Sequence, residues 1–272
     1  MGRIISCCFI LFFAFATCAQ NTRSVDTPAA TQLKEKSEKK GGHKVVIVPF
    51  EPKMYLSEID KKIGESTKMN FTQVRALFRN GLDKKISEAI SRHYSTFSLL
   101  ADSARTAKEI IQLYSAISYS YMPIPGQTNK ESAKKRPVKN GRLETEESSV
   151  RKFMNAKLSN AQVLSSLGKK YNADVFLFIN ELDIKNDPDS YDAVKDIYMR
   201  EISVHYTIFD LNGMQLGANM ATVRFPSNIN DPSLIIATQF ALIAKNINAE
   251  LNKSLVVPAG AKDQATGSSP AK

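Results

Sequence analysis

The chain has 272 residues, is 43% hydrophobic and carries a formal net charge of +10. That length and apolar content suffice for one sizeable core or two small ones. Its three cysteines are Cys7, Cys8 and Cys18, all near the N-terminus. Everything after them is without a thiol, which excludes disulfides and thiolate metal sites there and leaves stability to the core alone.

At the N-terminus Arg3 precedes the apolar run "IISCCFILFFAFA", too short for a comfortable membrane span. "TCAQ" follows, with Thr17 and Ala19 as the small residues before a cut at Gln20, the pattern of a secretory signal peptide over residues 1–19. The same residues carry a second reading, in which Cys18 is the acylated cysteine of a lipoprotein. Residues 20–42 are polar, without aromatic residues, and are expected to form a disordered spacer. Much of the basic excess lies in "LKEKSEKKGGHK" and "NKESAKKRPVKNGR", which is the pattern of solvated linkers. Export argues against nucleic acid as a partner. Anionic lipid headgroups or cell-wall polymers are what a basic insertion would meet.

From Lys44 the composition changes. "KVVIVPF" is β-branched and apolar without alternation, as in a strand buried on both faces. A short helix is expected from Ser57 to about Ser66. "MNFTQVRALFRNGLDKKISEAISRHY" follows as a long amphipathic helix, with Asn70 and Gln73 as a capping box and Met69 and Val74 at the staple positions. "FSLL" is a short second strand. "ARTAKEIIQLYSAISYSYM" is then expected to be a helix ending before Pro123, with Tyr114, Tyr119 and Tyr121 as core and helix end. Residues 123–158 have no steady period and many charges, as a polar insertion does, although "FMNAKL" at its end is apolar enough to pack on the body.

Ser159 is expected to cap the helix "NAQVLSSLGKKY". "ADVFLFINELDI" contains a central strand at Val175–Ile179, and "NDPDSYD" is a loop. "REISVHYTIFD" alternates cleanly, with Ile202, Val204, Tyr206 and Ile208 on one face and Glu201, Ser203, His205 and Thr207 on the other. Asn212-Gly213 is a strong hairpin signal before "MQLGANMATVRF". Asp231 caps a last helix with Pro232 in its first turn. Residues 257–272 have the composition of a disordered tail. The expected fold is α+β, in the order β-α-β-α-α-β-β-β-α. A mixed sheet of about five strands carries packed helices in a single domain over residues 43–256.

"KVVIVPF", the long amphipathic helix, "FSLL", the helix running into "YNADVFLFINELDI" and the "DLNG" turn at Asp210–Gly213 together resemble a family of bacterial envelope proteins. That family includes the curli-secretion lipoprotein CsgG, the penicillin-binding-protein activator LpoB and the N-terminal domain of TolB. The "TCAQ" ending resembles exported proteins of the Bacteroidota. The resemblance covers roughly residues 44–255 and implies a binding or assembly module, not a catalyst.

A search for chemistry returns little. No glycine-rich phosphate loop follows the first strand, and Pro49 and Pro52 lack the N–H groups a phosphate nest uses. His43, His93 and His205 are far apart in sequence, and His205 is expected to be an exposed strand residue. Asp183, Asp187, Asp189 and Asp192 lack the glycine and closing glutamate of a calcium loop. Glu181 and Asp183 share a strand face, but their position also suits the wet end of a strand. No metal or cofactor is implied. The stretch "EPKMYLSE", at the carboxyl end of the first strand, is the candidate contact surface through Pro52, Met54, Tyr55 and Leu56.

These readings describe an exported, non-catalytic protein of the periplasm or cell envelope. It would act by contact with an envelope protein partner, as an accessory or assembly factor, and self-association is compatible with it. The alternative is an enzyme or binder acting on envelope polymers or an anionic membrane surface. The expected mature N-terminus is Gln20. Intact-mass spectrometry of the native protein checks this, and a diacyl or triacyl mass on Cys18 would establish the lipoprotein reading instead.

Overall fold

The computed structural model describes residues 42–124, 138–139, 142–143 and 151–256. The expected export segment with Cys18, nearly all of the expected spacer, most of the basic insertion and the tail after 256 lie outside the described residues.

The centre of the fold is β1 (Lys44–Val48), whose apolar run is buried on both sides, as its composition requires. It lies between β3 (Ser95–Ser98) and β8 (Val175–Asp192) and pairs in parallel with both. β9 (Ile197–Asp210) and β10 (Gln215–Pro226) extend the sheet as an antiparallel meander, giving the order β10-β9-β8-β1-β3. A short β2 (Tyr55–Ser57) adds in parallel to β8 opposite Leu182–Ile184 and makes the mixed sheet six-stranded.

Period-two alternation divides the side chains of β1 between two cores. Val45 and Ile47 pack with α1 (Asp60–Thr67), α2 (Phe71–Ile90) and α6 (Ala241–Val256). Val46 and Val48 pack with Phe176, Phe178 and Phe209 beneath α3 (Ser103–Ser115) and α4 (Gln162–Tyr171).

Local signals hold where they are local. Asn70 accepts from the Gln73 amide at 3.0 Å, while the Gln73 side chain accepts from the Asn70 amide at 2.9 Å. Asp231 accepts from the Ser233 amide at 2.8 Å at the start of α5 (Pro232–Ile235), which passes through a π-helical stretch, Ile236–Phe240, into α6. In the "DLNG" turn Gly213 has φ +79, a left-handed value that favours glycine. Asp210 there accepts from the amides of Asn212 and Met214.

Three expectations are corrected. The helix predicted to reach Pro123 stops at Ser115, and Ile117–Pro123 is a strand, β4, paired antiparallel with β7 (Lys152–Leu158). Ile117, Tyr119 and Tyr121 alternate with Ser118 and Ser120, a pattern that suits a strand better than a helix once "KFMNAKL" is there to pair with it. "FMNAKL" does pack on the body, with Phe153, Met154 and Ala156 buried. Beyond this ribbon a two-residue pairing of β5 (Val138–Lys139) with β6 (Arg142–Leu143) is described. "NDPDSYD" is not a free loop. β8 runs through it to Asp192 as one arm of a hairpin with β9, with a register break between Asp187 and Asp192 that accommodates Pro188. The cap of α4 is not Ser159, whose amide and hydroxyl both donate to Ala116 O. Asn160 accepts from the Gln162 amide instead.

The carboxyl end of β1, where α/β sheets often present ligands, is filled by protein. Arg79 Nε donates to Phe50 O at 2.9 Å, and the Tyr114 hydroxyl donates to Pro49 O at 2.8 Å and accepts from Arg79 Nη2 at 2.9 Å. These two side chains occupy the carbonyl oxygens at that end of the strand.

Val46 is fully buried and faces Phe97 and Phe176 in register on either side. Val46→Asp is expected to destabilise the fold by roughly 4 kcal/mol or to prevent folding. Urea unfolding followed by circular dichroism measures this.

Candidate functional site: a polar groove under the ribbon

The segment singled out as a contact surface divides between inside and outside. Pro52 is exposed in a single 3-10 turn, Pro52–Met54, and Met54 packs partly against the helix-side core. Tyr55 is 5% exposed. Its hydroxyl donates to Asp60 Oδ1 at 2.6 Å and its ring lies 6.4 Å from that of Phe50. Leu56, on the other face of β2, points outward. Tyr55 is therefore a core residue, and the expected apolar anchor is not on the surface. The reason is β2 itself: three residues pairing with β8 turn alternate side chains in and out.

A different site appears where β8, β9 and the β4–β7 ribbon meet. Up to Ile179, the odd-numbered residues of β8 face the helix-side core. The pairing then steps from Ile179↔Tyr206 to Glu181↔His205, leaving Asn180 as an extra residue. This bulge reverses the alternation. Leu182 and Ile184 now enter the helix-side core, and Glu181, Asp183 and Lys185 turn to the ribbon side. Opposite them, in register, β9 presents His205, Ser203 and Glu201. Tyr121 comes from the end of β4, and Arg151 and Lys152 come from the start of β7. Together these line a groove of about 220 Å³.

A buried polar network fixes the ribbon on the sheet. Asn180 donates to Met154 O and to Thr207 Oγ1, both at 2.8 Å. Thr207 accepts from the Ala156 amide at 3.1 Å and donates to Asn155 Oδ1 at 2.9 Å. The Met154 amide donates to His205 Nδ1 at 2.6 Å. An amide N–H can only donate, so Nδ1 is held as an acceptor and the imidazole is neutral with its proton on Nε2. That N–H faces Glu181 Oε1 at 3.5 Å.

The electrostatics follow from this enclosure. His205 is 3% exposed, and burial, with Lys185 and Arg151 nearby, pushes its pKa down to about 4. His205 is thus a buried structural imidazole and not an exposed strand residue; the alternation placed it on the correct face, but the ribbon covers that face. Burial raises the Glu181 carboxyl above the usual range, with Asp183 reinforcing the shift, although hydrogen bonding from Tyr121 opposes it. The Tyr121 hydroxyl donates to Glu181 at 3.1–3.2 Å, and desolvation together with that carboxylate pushes it up to about 12. Asp183 pairs with Lys185 Nζ at 2.5 Å, Arg151 with Glu201, and Arg224 with Asp187.

Glu181 and Asp183 do share a face, as the sequence indicated, but Glu181 is deeply buried and not at a wet end. Among the described residues no group of three or more His, Asp and Glu side chains is arranged to hold a metal ion, and no helix is long and apolar enough to cross a membrane. Sequence reasoning missed Tyr121 as a surface residue. The available signal was the alternation of Ile117, Tyr119 and Tyr121.

The chain matches no family model and no curated protein. Among solved structures it is similar to the crystal structure of lipoprotein GNA1162 from Neisseria meningitidis. The TM-score is 0.31 and the identity 13%, over 78% of this chain and 96% of that one.

The depressed pKa of His205 has a testable consequence. In the unfolded chain its imidazole protonates around 6.5, and in the fold it stays neutral down to about 4. The unfolded state therefore binds more protons in that window. Stability present at neutral pH should be lost as pH falls through it, by at most about 3 kcal/mol from this group. Glu181, with its raised pKa, works in the opposite direction. His205→Gln, whose amide oxygen can still accept from Met154, should show less acid destabilisation than the parent between pH 6.5 and 4, as read from urea midpoints.

Proposed function

We propose that the protein is an exported, non-catalytic component of the cell envelope. It acts by protein–protein contact, as an accessory or assembly factor of an outer-membrane or cell-wall machine. The observation that carries this reading is Tyr121. Its side chain is 54% exposed, yet both oxygens of Glu181 hold its hydroxyl. An exposed aromatic ring already fixed in place offers contact area at little further ordering cost, the property of residues on which interfaces concentrate their energy. Paired charges, Arg151 with Glu201 and Asp183 with Lys185, surround it as a polar rim does. The imidazole below has its acceptor nitrogen occupied by the Met154 amide, which supports binding over general-base chemistry at this groove.

One observation favours a second reading. Glu181, with its raised pKa, stands next to Asp183 in one groove, and enzymes that cleave sugar polymers use two carboxylates with separated acidities. Under that reading Glu181 would be the acid.

A photo-crosslinking residue in place of Lys152, an exposed residue of the same groove, in the full-length exported protein should capture one dominant protein in cells. Adding Tyr121→Ala should reduce capture about tenfold, whereas Tyr121→Phe, which removes the same hydrogen bond from Glu181 but keeps the ring, should retain most of it, so that any loss of stability shared by the two variants is separated from loss of contact. Undiminished capture places the contact elsewhere. If the purified protein releases soluble fragments from isolated cell-wall polymer, and Glu181→Gln abolishes that release, the enzymatic reading is correct.

A further inference from the structure

The main sheet ends in two edge strands. β3, on one side, is four residues long, and shortness is one of the ways proteins blunt an edge. β10, on the other, runs for 12 residues, and among the described residues it pairs with β9 alone. The usual protections sit only at its ends. A bulge breaks the register between Gln215 and Gly217, and Arg224 and Pro226 close the strand. The stretch Ala218–Val223 between them contains no charge and no proline.

The hydrogen bonds show which groups this stretch leaves open. The Ser227 amide donates to Tyr198 O at 2.8 Å, in step with the pairing of Pro226 with Met199. Odd-numbered residues therefore turn their N–H and C=O to β9, and Ala218, Met220, Thr222 and Arg224 turn theirs away from it. The Met220 amide has the same phase, since its acceptor at 2.8 Å is the Asn219 side chain and not β9. None of these outward-turned residues is buried. A row of open backbone groups without charges is a template for another strand.

We propose that this edge is the interface of a homodimer, in which β10 of two copies pairs antiparallel about a two-fold axis at Ala221 and joins their sheets into one. The open groups set the axis. Ala218, Met220, Thr222 and Arg224 are symmetric about Ala221, so Ala218 comes opposite Arg224 of the second copy and Met220 opposite its Thr222, and each such pair exchanges two hydrogen bonds. The Met220 amide exchanges Asn219 for that backbone partner. The side chains suit this register. Arg224 is the one charge on the strand, so the two arginines lie at opposite ends of the pairing. Each meets the small Ala218, which borders a cavity of about 390 Å³ also lined by Met122, Pro123 and Gln215. Even-numbered side chains of β10 share the ribbon face, as Met220 does in the polar groove, so the arginine stem is delivered toward that cavity. The charged residue in its wall is Glu250, of the sign that suits a guanidinium.

The test is sedimentation of the full-length protein at micromolar concentration, with amide hydrogen exchange read residue by residue. The expected result is a dimer in which the amides of Ala218, Thr222 and Arg224 exchange slowly. They should become fast on dilution to monomer, while those of Ala221 and Val223 stay slow throughout. Thr222→Pro removes an N–H that the fold itself does not use, at a position where an edge strand accepts proline, and should give a monomer with an unchanged circular dichroism spectrum. Ala218→Arg sets two guanidinium groups side by side at both ends of the pairing and should weaken the dimer about tenfold, which keeps the test decisive if the proline variant does not fold. A monomeric parent protein would overturn the proposal, and slow exchange at the outward amides of such a monomer would assign the edge to another segment of the same chain. A dimer that survives both substitutions would overturn it as well, by placing the interface elsewhere.

Discussion

A single extra residue in β8 decides how this molecule presents itself. Without the bulge at Asn180, the strand would keep one phase along its length, and Glu181 and Asp183 would point into the apolar core under α2 and α6. Two buried carboxylates in that environment would cost more than a domain of this size can spare. With the bulge, Leu182 and Ile184 take those places and the acids turn to the ribbon side. Asn180 itself is fully buried, and its amide nitrogen is spent on Met154 O and Thr207. The residue that breaks the alternation thus also holds down the element that covers the result.

The ribbon makes the polar face of β9 an interior. Ser203, His205 and Thr207 alternate as the solvated side of an antiparallel strand would, yet all three are buried. They are tolerated because β7 brings backbone groups into register with them. The amides of Met154 and Ala156 find His205 and Thr207 as acceptors. Sheet and ribbon therefore meet through a layer of hydrogen bonds, not through apolar packing alone. Such a layer fixes orientation more strictly than it adds stability. It also explains why an exposed tyrosine at the end of β4 can be rigid, since the strand carrying it is held along its whole length by β7.

What the sequence disclosed was set by range. The capping box at Asn70 and Gln73, the Asp231–Pro232 start and the turn at Gly213 each involve neighbours within a few residues, and each formed as expected. The unbroken apolar runs of β1 and β8 implied central strands because burial on both faces leaves no other composition. The bulge also left a trace: in "VFLFINELDI" an unbroken apolar run up to Ile179 gives way after Asn180 to apolar residues at even positions only, Leu182 and Ile184. The rest depended on distant partners. Helix α3 gives way to β4 because β7 pairs with it; Tyr55 is drawn inside because β8 accepts β2; His205 is buried because the ribbon lies over it. No local pattern in those segments encodes the partner.

The position of β1 also dictates the order in which the molecule can be completed. This strand is apolar from Val45 on and lies near the start of the fold, yet one of its two neighbours, β8, comes only after α2, α3, the ribbon and α4. Val45 must wait for Val175 before its second side is covered. Local helices and the pairing of β1 with β3 can form early, but closing the centre of the sheet requires a large loop and is slow for that reason. Until then the chain displays an uncharged, β-branched edge of the kind that recruits other unfolded chains. Synthesis that delivers the N-terminal half first would lengthen that interval, so a holding chaperone would be needed most before β8 arrives.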